Sequence, residues 1–230
     1  MKKNVARNLN VFAALLVLTA FCHPPCLRAL IIALGKWVLD GKEPPPSCYP
    51  RIDDGTLVAP DRESTGWPAI PDIPYNGRVN ELPLLDYGPQ YDFRNVTGIL
   101  QQEPPIQKSG QMYRTLVPRV DKDGNEVGGI RGINIRVPLG TCTGWALRRE
   151  GYGKGDLSSL NGMFIPFRNT RKERIERGDP RLSLRERYSS HEKYVEAVKE
   201  AAAALVSEGF LLQEDAGAEI KKAENSNVLK

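Results

Sequence analysis

Two imidazoles, His23 and His191, are the only histidines among the 230 residues that could serve as a general base, and the serines they would activate are poorly placed. A nucleophilic serine on a strained strand-to-helix turn is usually written Gly-x-Ser-x-Gly, because the glycines let the backbone turn sharply and expose the hydroxyl. Ser109 precedes Gly110 but lacks the first glycine of that motif and a strong strand before it. Ser158 and Ser159 lie near glycines without the spacing. His191 falls in the first turn of a helical segment with no nucleophile or carboxylate partner implied, so it reads as a surface side chain. Asp53-Asp54 is a carboxylate pair on a turn and reads as solvated. Counting from Asp121, an EF-hand would need glycine at the sixth position and glutamate at the twelfth; Glu126 and Gly132 stand there instead. No Gly-rich phosphate loop or HExxH site is present. Cys22-His23…Cys26 has ligand-like spacing without a second cluster to complete it. These residues assign no catalytic, cofactor-binding or metal-binding position, and no cofactor is expected.

The elements that would position any site begin at the N-terminus, which reads as an export signal. Lys2, Lys3 and Arg7 precede the apolar run Val11 to Phe21, which is shorter than the roughly 20 residues a membrane span needs. Leu18-Thr19-Ala20 is a passable cleavage site, and Phe21 is too bulky before Cys22 for a lipoprotein signal. Residues 1–22 are therefore expected to be a cleaved signal, giving a periplasmic or secreted chain, or alternatively an anchor through residues 9–22. In an oxidising compartment Cys22, Cys26, Cys48 and Cys142 could pair in three ways, and the sequence selects none of them; unpaired, partly buried thiols are the plainer reading.

"LRALIIALGKWVLDG" predicts a core-packing helix whose face is Leu27, Leu30, Ile31, Leu34 and Val38, stopped at Asp40-Gly41. A membrane hairpin with residues 11–22 is a lesser alternative, since Arg28 and Lys36 interrupt the second arm. Thirteen of the 18 prolines lie between Pro44 and Pro118, which predicts an extended wrapping segment with short strands and turns. "YRTLVPRVDKDGNEVGGIRGINIRVPLGT" predicts two strands around Asp123-Gly124. Capping boxes at Thr170…Glu173, Ser183…Glu186 and Ser189…Glu192 open helices in the last third. Gly178 and Gly209 close the first and last of these, and Tyr194, Val198, Ala201, Ala202 and Leu205 form an apolar stripe. A final helix, "QEDAGAEIKKAE", precedes a tail expected to fray over 217–230.

Residues 168–187 hold seven arginines and one lysine against four acids. The acids are interleaved at helical spacing, as with Glu173 and Arg177, which predicts a solvated, locally paired face. No aromatic platform or binding motif accompanies them, and the formal charge of +4 is mild, so no nucleic-acid partner is expected.

Several strings in one order carry a resemblance: "LRALIIALGKWVLDGKEPPPSCYPRIDDGTLV", "VPRVDKDGNEVGGIR", "VPLGTCTGWALR", "LNGMFIPFRNTRKERIERGDPRLSLRERYSSHEKYVEAV" and "LVSEGFLLQEDA". Together they resemble the C-terminal part of a family of bacterial α/β-hydrolase domain proteins whose members are considerably longer. The likeness covers roughly Leu27 to Ala216, with Cys142 and Ala146 standing where an aromatic residue and asparagine are expected. It implies that the serine elbow, acidic partner and catalytic histidine lie upstream of the Leu27–Asp40 helix, so no catalytic residue carries over. The expectation is an irregular α+β fold: helix, proline-rich extended segment, β-hairpin and helical tail, without the full parallel sheet. Residues 23–216 would form this C-terminal region. Its function would be that of a hydrolase-family fragment or remnant, non-catalytic on its own. The alternatives are an exported binding or structural protein that completes another chain, and an ester hydrolase with unconventional residues. Apolar faces left on the surface at 27–39 and 194–205 would favour a protein partner or self-association.

Overall fold

The computed structural model describes residues 25–95, 105–158 and 161–230. His23, Cys22, Ser159 and the N-terminal apolar run lie outside the described residues. The fold is α+β. All four described strand pairs are two-stranded and antiparallel. None of the described helices is long and apolar enough to cross a membrane.

The chain enters on α1 (Pro25–Asp40), which stops where expected: Gly41 takes a left-handed backbone, and its amide donates to the Trp37 carbonyl at 3.0 Å. The proline-rich span follows as extended chain carrying β1 (Leu57–Val58), the short α2 (Arg62–Thr65) and β2 (Pro83–Asp86). β2 pairs with β3 (Ile106–Met112) through a register shift between Pro83 and Leu85. β4 (Val117–Pro118) pairs with β1, and the single turn α3 (Ile133–Arg136) precedes β5 (Gly140–Thr143). β6 (Ala146–Leu147) pairs with β7 (Leu157–Ser158), and β8 (Met163–Pro166) pairs back onto β5. Four helices close the chain: α4 (Arg171–Glu176), α5 (Leu184–Tyr188), α6 (His191–Ser207) and α7 (Gln213–Glu224).

The expected two-strand hairpin around Asp123-Gly124 is reduced to a tight turn with one bridge, Val120 opposite Glu126. Two cross-strand bonds form, from Asp121 to the Asn125 carbonyl at 2.8 Å and from Val127 to the Arg119 carbonyl at 3.0 Å, and the neighbouring amides turn elsewhere. Arg119 donates to the Thr56 carbonyl at 2.8 Å and Val120 to the Thr65 carbonyl at 2.9 Å, while Gly128, Gly129 and Gly132 break the return arm before α3.

The C-terminal helices hold the main core. The stripe Tyr194, Val198, Ala201, Ala202 and Leu205 is buried as its spacing predicts. One side of α6 packs with Val137, Phe167, Leu184 and Tyr188, and the other with Phe210, Leu211 and Ala216. Gly209 reverses the chain between α6 and α7 with φ +83°, and a Cβ there would stand 3.3 Å from Pro45 Cγ. The proline-rich span is thereby laid directly on the helical turn. Residues 217–230 do not fray: α7 runs to Glu224, and Val228 and Leu229 pack on the core. The third capping box is displaced by one residue. Ser189 is used up closing α5 at φ +62°, so Ser190 caps α6 and accepts from the Lys193 amide.

α1 departs most from its predicted packing. Its buried residues are Ala29 and Gly35, and Leu30 touches the core, whereas Leu27, Leu34 and Val38 of the predicted face are exposed. Arg28 fixes its position through ion pairs with Asp215 and, at 2.6 Å, Glu214 in the first turn of α7.

Candidate ligand-binding site

The arginine-rich stretch is less solvated than its composition predicts. Arg181 and Asp179 form an ion pair at 2.7 Å whose side chains are only 2% and 3% exposed. Arg181 also donates to Thr141 Oγ1 at 2.8 Å and to the Ile165 carbonyl at 3.0 Å, tying the α4–α5 loop to the β5–β8 pair. Arg187 pairs with the buried Asp123 at 2.6 Å, and the guanidinium groups of Arg181 and Arg187 both lie over the Phe167 ring, 5.2 and 4.6 Å from its centroid. Burial pushes the Asp179 carboxyl up, but its hydrogen bonds and the charge of Arg181 outweigh that and hold it below the usual carboxylate range. Glu173 does not serve Arg177 as its spacing suggests; its carboxylate accepts from the Asn169 amide at 3.0 Å.

This polar core clamps the Asp121–Asn125 turn. Asn125, fully buried, donates to the Gly140 carbonyl at 3.2 Å and accepts from the Cys142 amide at 2.8 Å. Asp121 Oδ1 accepts from the amides of Asp123 and Asn125, and its other oxygen meets Arg131 at 3.0 Å. The carboxylates of this turn are committed to amides and arginines. Among the described residues no cluster of ligating side chains stands ready for a metal ion.

The turn forms one wall of a cavity of about 260 Å³. Gly124 (φ +78°) belongs to that wall; a Cβ there would come within 2.9 Å of Thr141 Cγ2 and 3.4 Å of Trp67 Cζ3, so only glycine fits. Trp67, Tyr75 and Trp145 line the cavity and touch one another: Trp67 stacks on Tyr75 at 5.6 Å between centroids and meets Trp145 at 5.1 Å, and Tyr75 meets Trp145 edge-on at 5.9 Å. The Tyr75 hydroxyl donates to the Pro60 carbonyl at 2.7 Å, and burial pushes its pKa up. The Trp67 indole N–H is buried and finds no partner among the described residues. Val79, Val117, Val120 and Leu157 complete an apolar lining. Two charged side chains reach it. Arg78 is ion-paired with Asp156, whereas the Glu126 carboxyl has Oε1 beside Gly144 and is pushed up by desolvation.

Of the residues considered for chemistry from sequence, Glu126 and Cys142 border this cavity, and the others named below lie outside its lining. His191 lies at the far end of the helical unit, its Nδ1 facing the Val228 carbonyl at 2.8 Å and its Nε2 the Glu224 carbonyl at 3.2 Å. The hollow beside it is lined by Glu192, Val195, Glu196, Lys199 and Glu224, with no hydroxyl or thiol. Ser158 ends β7 and accepts from Asn161 at 3.0 Å, and Ser109 lies within β3. Asp53 is exposed and paired with Arg51, and Asp54 closes the turn by accepting from the Thr56 amide at 2.9 Å. Cys26, Cys48 and Cys142 are free thiols; burial pushes Cys26 up, and Cys142 borders the aromatic cavity. Sequence reasoning missed the cavity because its walls come from residues 65–79, 117–126, 142–145 and 157. One signal was present: two of the three tryptophans occur in the same tripeptide, Thr65-Gly66-Trp67 and Thr143-Gly144-Trp145, and both converge here.

A family model described as alpha/beta hydrolase domain matches residues 13–221. The chain belongs to the α/β-hydrolase domain family. The match begins upstream of Leu27, where the sequence resemblance starts, and includes part of the apolar run read as an export signal. No curated protein and no solved structure matches the chain.

Proposed function

We propose that this α/β-hydrolase domain chain is non-catalytic on its own and serves as a binding portion of the family's architecture. The observation that carries the reading is the setting of His191. Both ring nitrogens face backbone carbonyls rather than a hydroxyl or thiol, so the imidazole is not aimed at a nucleophile. It ties the C-terminal tail to the first turn of α6. Cys142, the thiol bordering the aromatic cavity, faces Asn134 rather than an imidazole.

Intact-mass measurement of the purified chain before and after a fluorophosphonate serine probe tests this. No added mass, together with no turnover of a chromogenic short-chain ester, is the expected result. An added probe mass that disappears in His191→Ala would overturn it in favour of an unconventional esterase. The unlabelled mass also decides whether residues 1–22 are removed on export, the localisation this reading carries, or retained with the family domain that the match extends into from residue 13.

A second reading, a structural protein that completes another chain, is favoured by the outer face of α1. Leu34, Trp37, Val38 and Leu39 are each at least half exposed along it. Light scattering of the purified chain over a range of concentrations, alone and with co-purifying material, distinguishes self-association and partner binding from a monomer.

A further inference from the structure

We infer that the cavity between Trp67, Tyr75, Trp145 and Glu126 is a binding site for a small organic ammonium ion with an apolar or aromatic body. The size is the first constraint. A dry cavity of about 150 Å³ takes a benzene molecule, so the 260 Å³ here holds by proportion about ten non-hydrogen atoms. The second is the lining. Three electron-rich rings line it, with the two indoles tilted at 53° to each other, and aliphatic side chains share the rest with Asn76, Arg78, Cys142 and Thr143. Aromatic faces of this kind attract cations as well as apolar groups.

The third constraint is the charge balance, which selects the sign of the ligand. Arg78 is ion-paired with Asp156, so its charge is already partly balanced. Glu126 has no such partner among the described residues. Its carboxyl projects from the residue after the buried Asn125, at the mouth bordered by Thr143 and Gly144. Glu126 is exposed at the cavity, desolvation pushes its carboxyl above its ordinary range, and a cation bound beside it would draw it back down. An ammonium group placed beside Glu126, with its body against the rings, would satisfy the carboxylate and the aromatic surface together. The clamped turn holds this geometry ready, since Asn125 and Gly124 are both locked against β5.

The inference stands independently of whether the chain is catalytic. Calorimetric titration of the full chain with 2-phenylethylammonium, 2-phenylethanol and phenylacetate at neutral pH tests it, because the three probes share a ring and differ chiefly in charge. The cation is expected to bind at least about fivefold more tightly than the alcohol, and phenylacetate most weakly. Glu126→Gln should remove that preference while leaving alcohol binding unchanged, and Trp145→Leu should weaken cation and alcohol alike. A thermal melt of each variant confirms that it is folded. Equal binding of cation and alcohol in the parent chain, a preference for phenylacetate, or a cation preference that survives in Glu126→Gln would each overturn the assignment. So would failure of the cation to bind at millimolar concentration.

Discussion

Helices α1 and α6 are nearly the same length, 16 and 17 residues, and both carry an apolar stripe at helical spacing, yet they end in opposite environments. α6 buries six residues, with Ala202 and Leu205 almost completely enclosed. α1 buries only Ala29 and Gly35, and leaves Trp37 half exposed and Val38 69% exposed. The difference lies in what surrounds them. α6 has Val137, Phe167 and α5 on one side, and α7 with the 208–212 turn on the other. α1 is covered on one side only, where Arg28 pairs with α7 and Leu30 touches the cluster of Ala202, Leu205, Phe210, Leu211 and Ala216. An apolar stripe therefore states that a helix wants a partner surface, and the rest of the chain decides whether one is supplied.

If the C-terminal unit carries the stability and α1 is only laid upon it, the largest loss should come from inside that unit. Arg181→Ala leaves Asp179 as a buried, unpaired carboxylate and strips donors from Thr141 and Ile165. A loss of about 3–5 kcal/mol in denaturant unfolding is expected, on the scale of breaking a buried pair from one side. A loss under 1 kcal/mol would mean that water reaches this pair in solution and that the polar core is not what holds the turn to the sheet.

The next test sets the two helices side by side. Leu205→Ala empties a fully enclosed site and should cost about 2–5 kcal/mol. Leu34→Ala removes the same atoms from the exposed face of α1 and should change stability by no more than about 0.5 kcal/mol. Should Leu34→Ala approach the cost of Leu205→Ala, and should that cost depend on protein concentration, the face of α1 is covered in solution by another copy of the chain.

The same contrast explains which parts of the molecule could be read from sequence. Local chemistry was legible: Gly41, Gly178 and Gly209 all take left-handed backbones next to helix ends, and Thr170 and Ser183 cap as their spacing requires. The stripe of α6 was legible because a buried face and a helical period coincide. What depends on competition between distant segments was not. The hairpin around Asp123 stays short because Arg119 and Val120 bond Thr56 and Thr65, and Ser189 lost the cap of α6 because α5 ends on it. The arginines looked solvated because their acids are close in sequence, yet Arg187 finds its partner 64 residues away at Asp123. The aromatic cavity reaches further still, since Trp145 meets Tyr75 from 70 residues away (145 − 75).

The smallest effect belongs to a surface contact that joins two short helices within the stable unit. Glu186 accepts both nitrogens of a bidentate Arg174 at 2.6 and 2.8 Å and also receives the Ser183 amide and hydroxyl at 3.0 and 2.7 Å. Arg174 first, and then Ser183, hold its carboxyl down to about 2 from an ordinary 4.5. Because the folded value lies below the unfolded one, the contribution is fully present above the unfolded value and fades as pH falls from about 4.5 toward about 2. Comparing the parent chain with Glu186→Gln by denaturant unfolding, the gap between them should be constant from pH 7 down to about 5 and should close by about pH 2. Both helices are short, α4 at six residues and α5 at five, and neither would persist alone. A gap that stays open at pH 2 would therefore assign the role of Glu186 to packing rather than charge, and would leave the capping hydroxyl of Ser183 as the link that fixes α4 to α5.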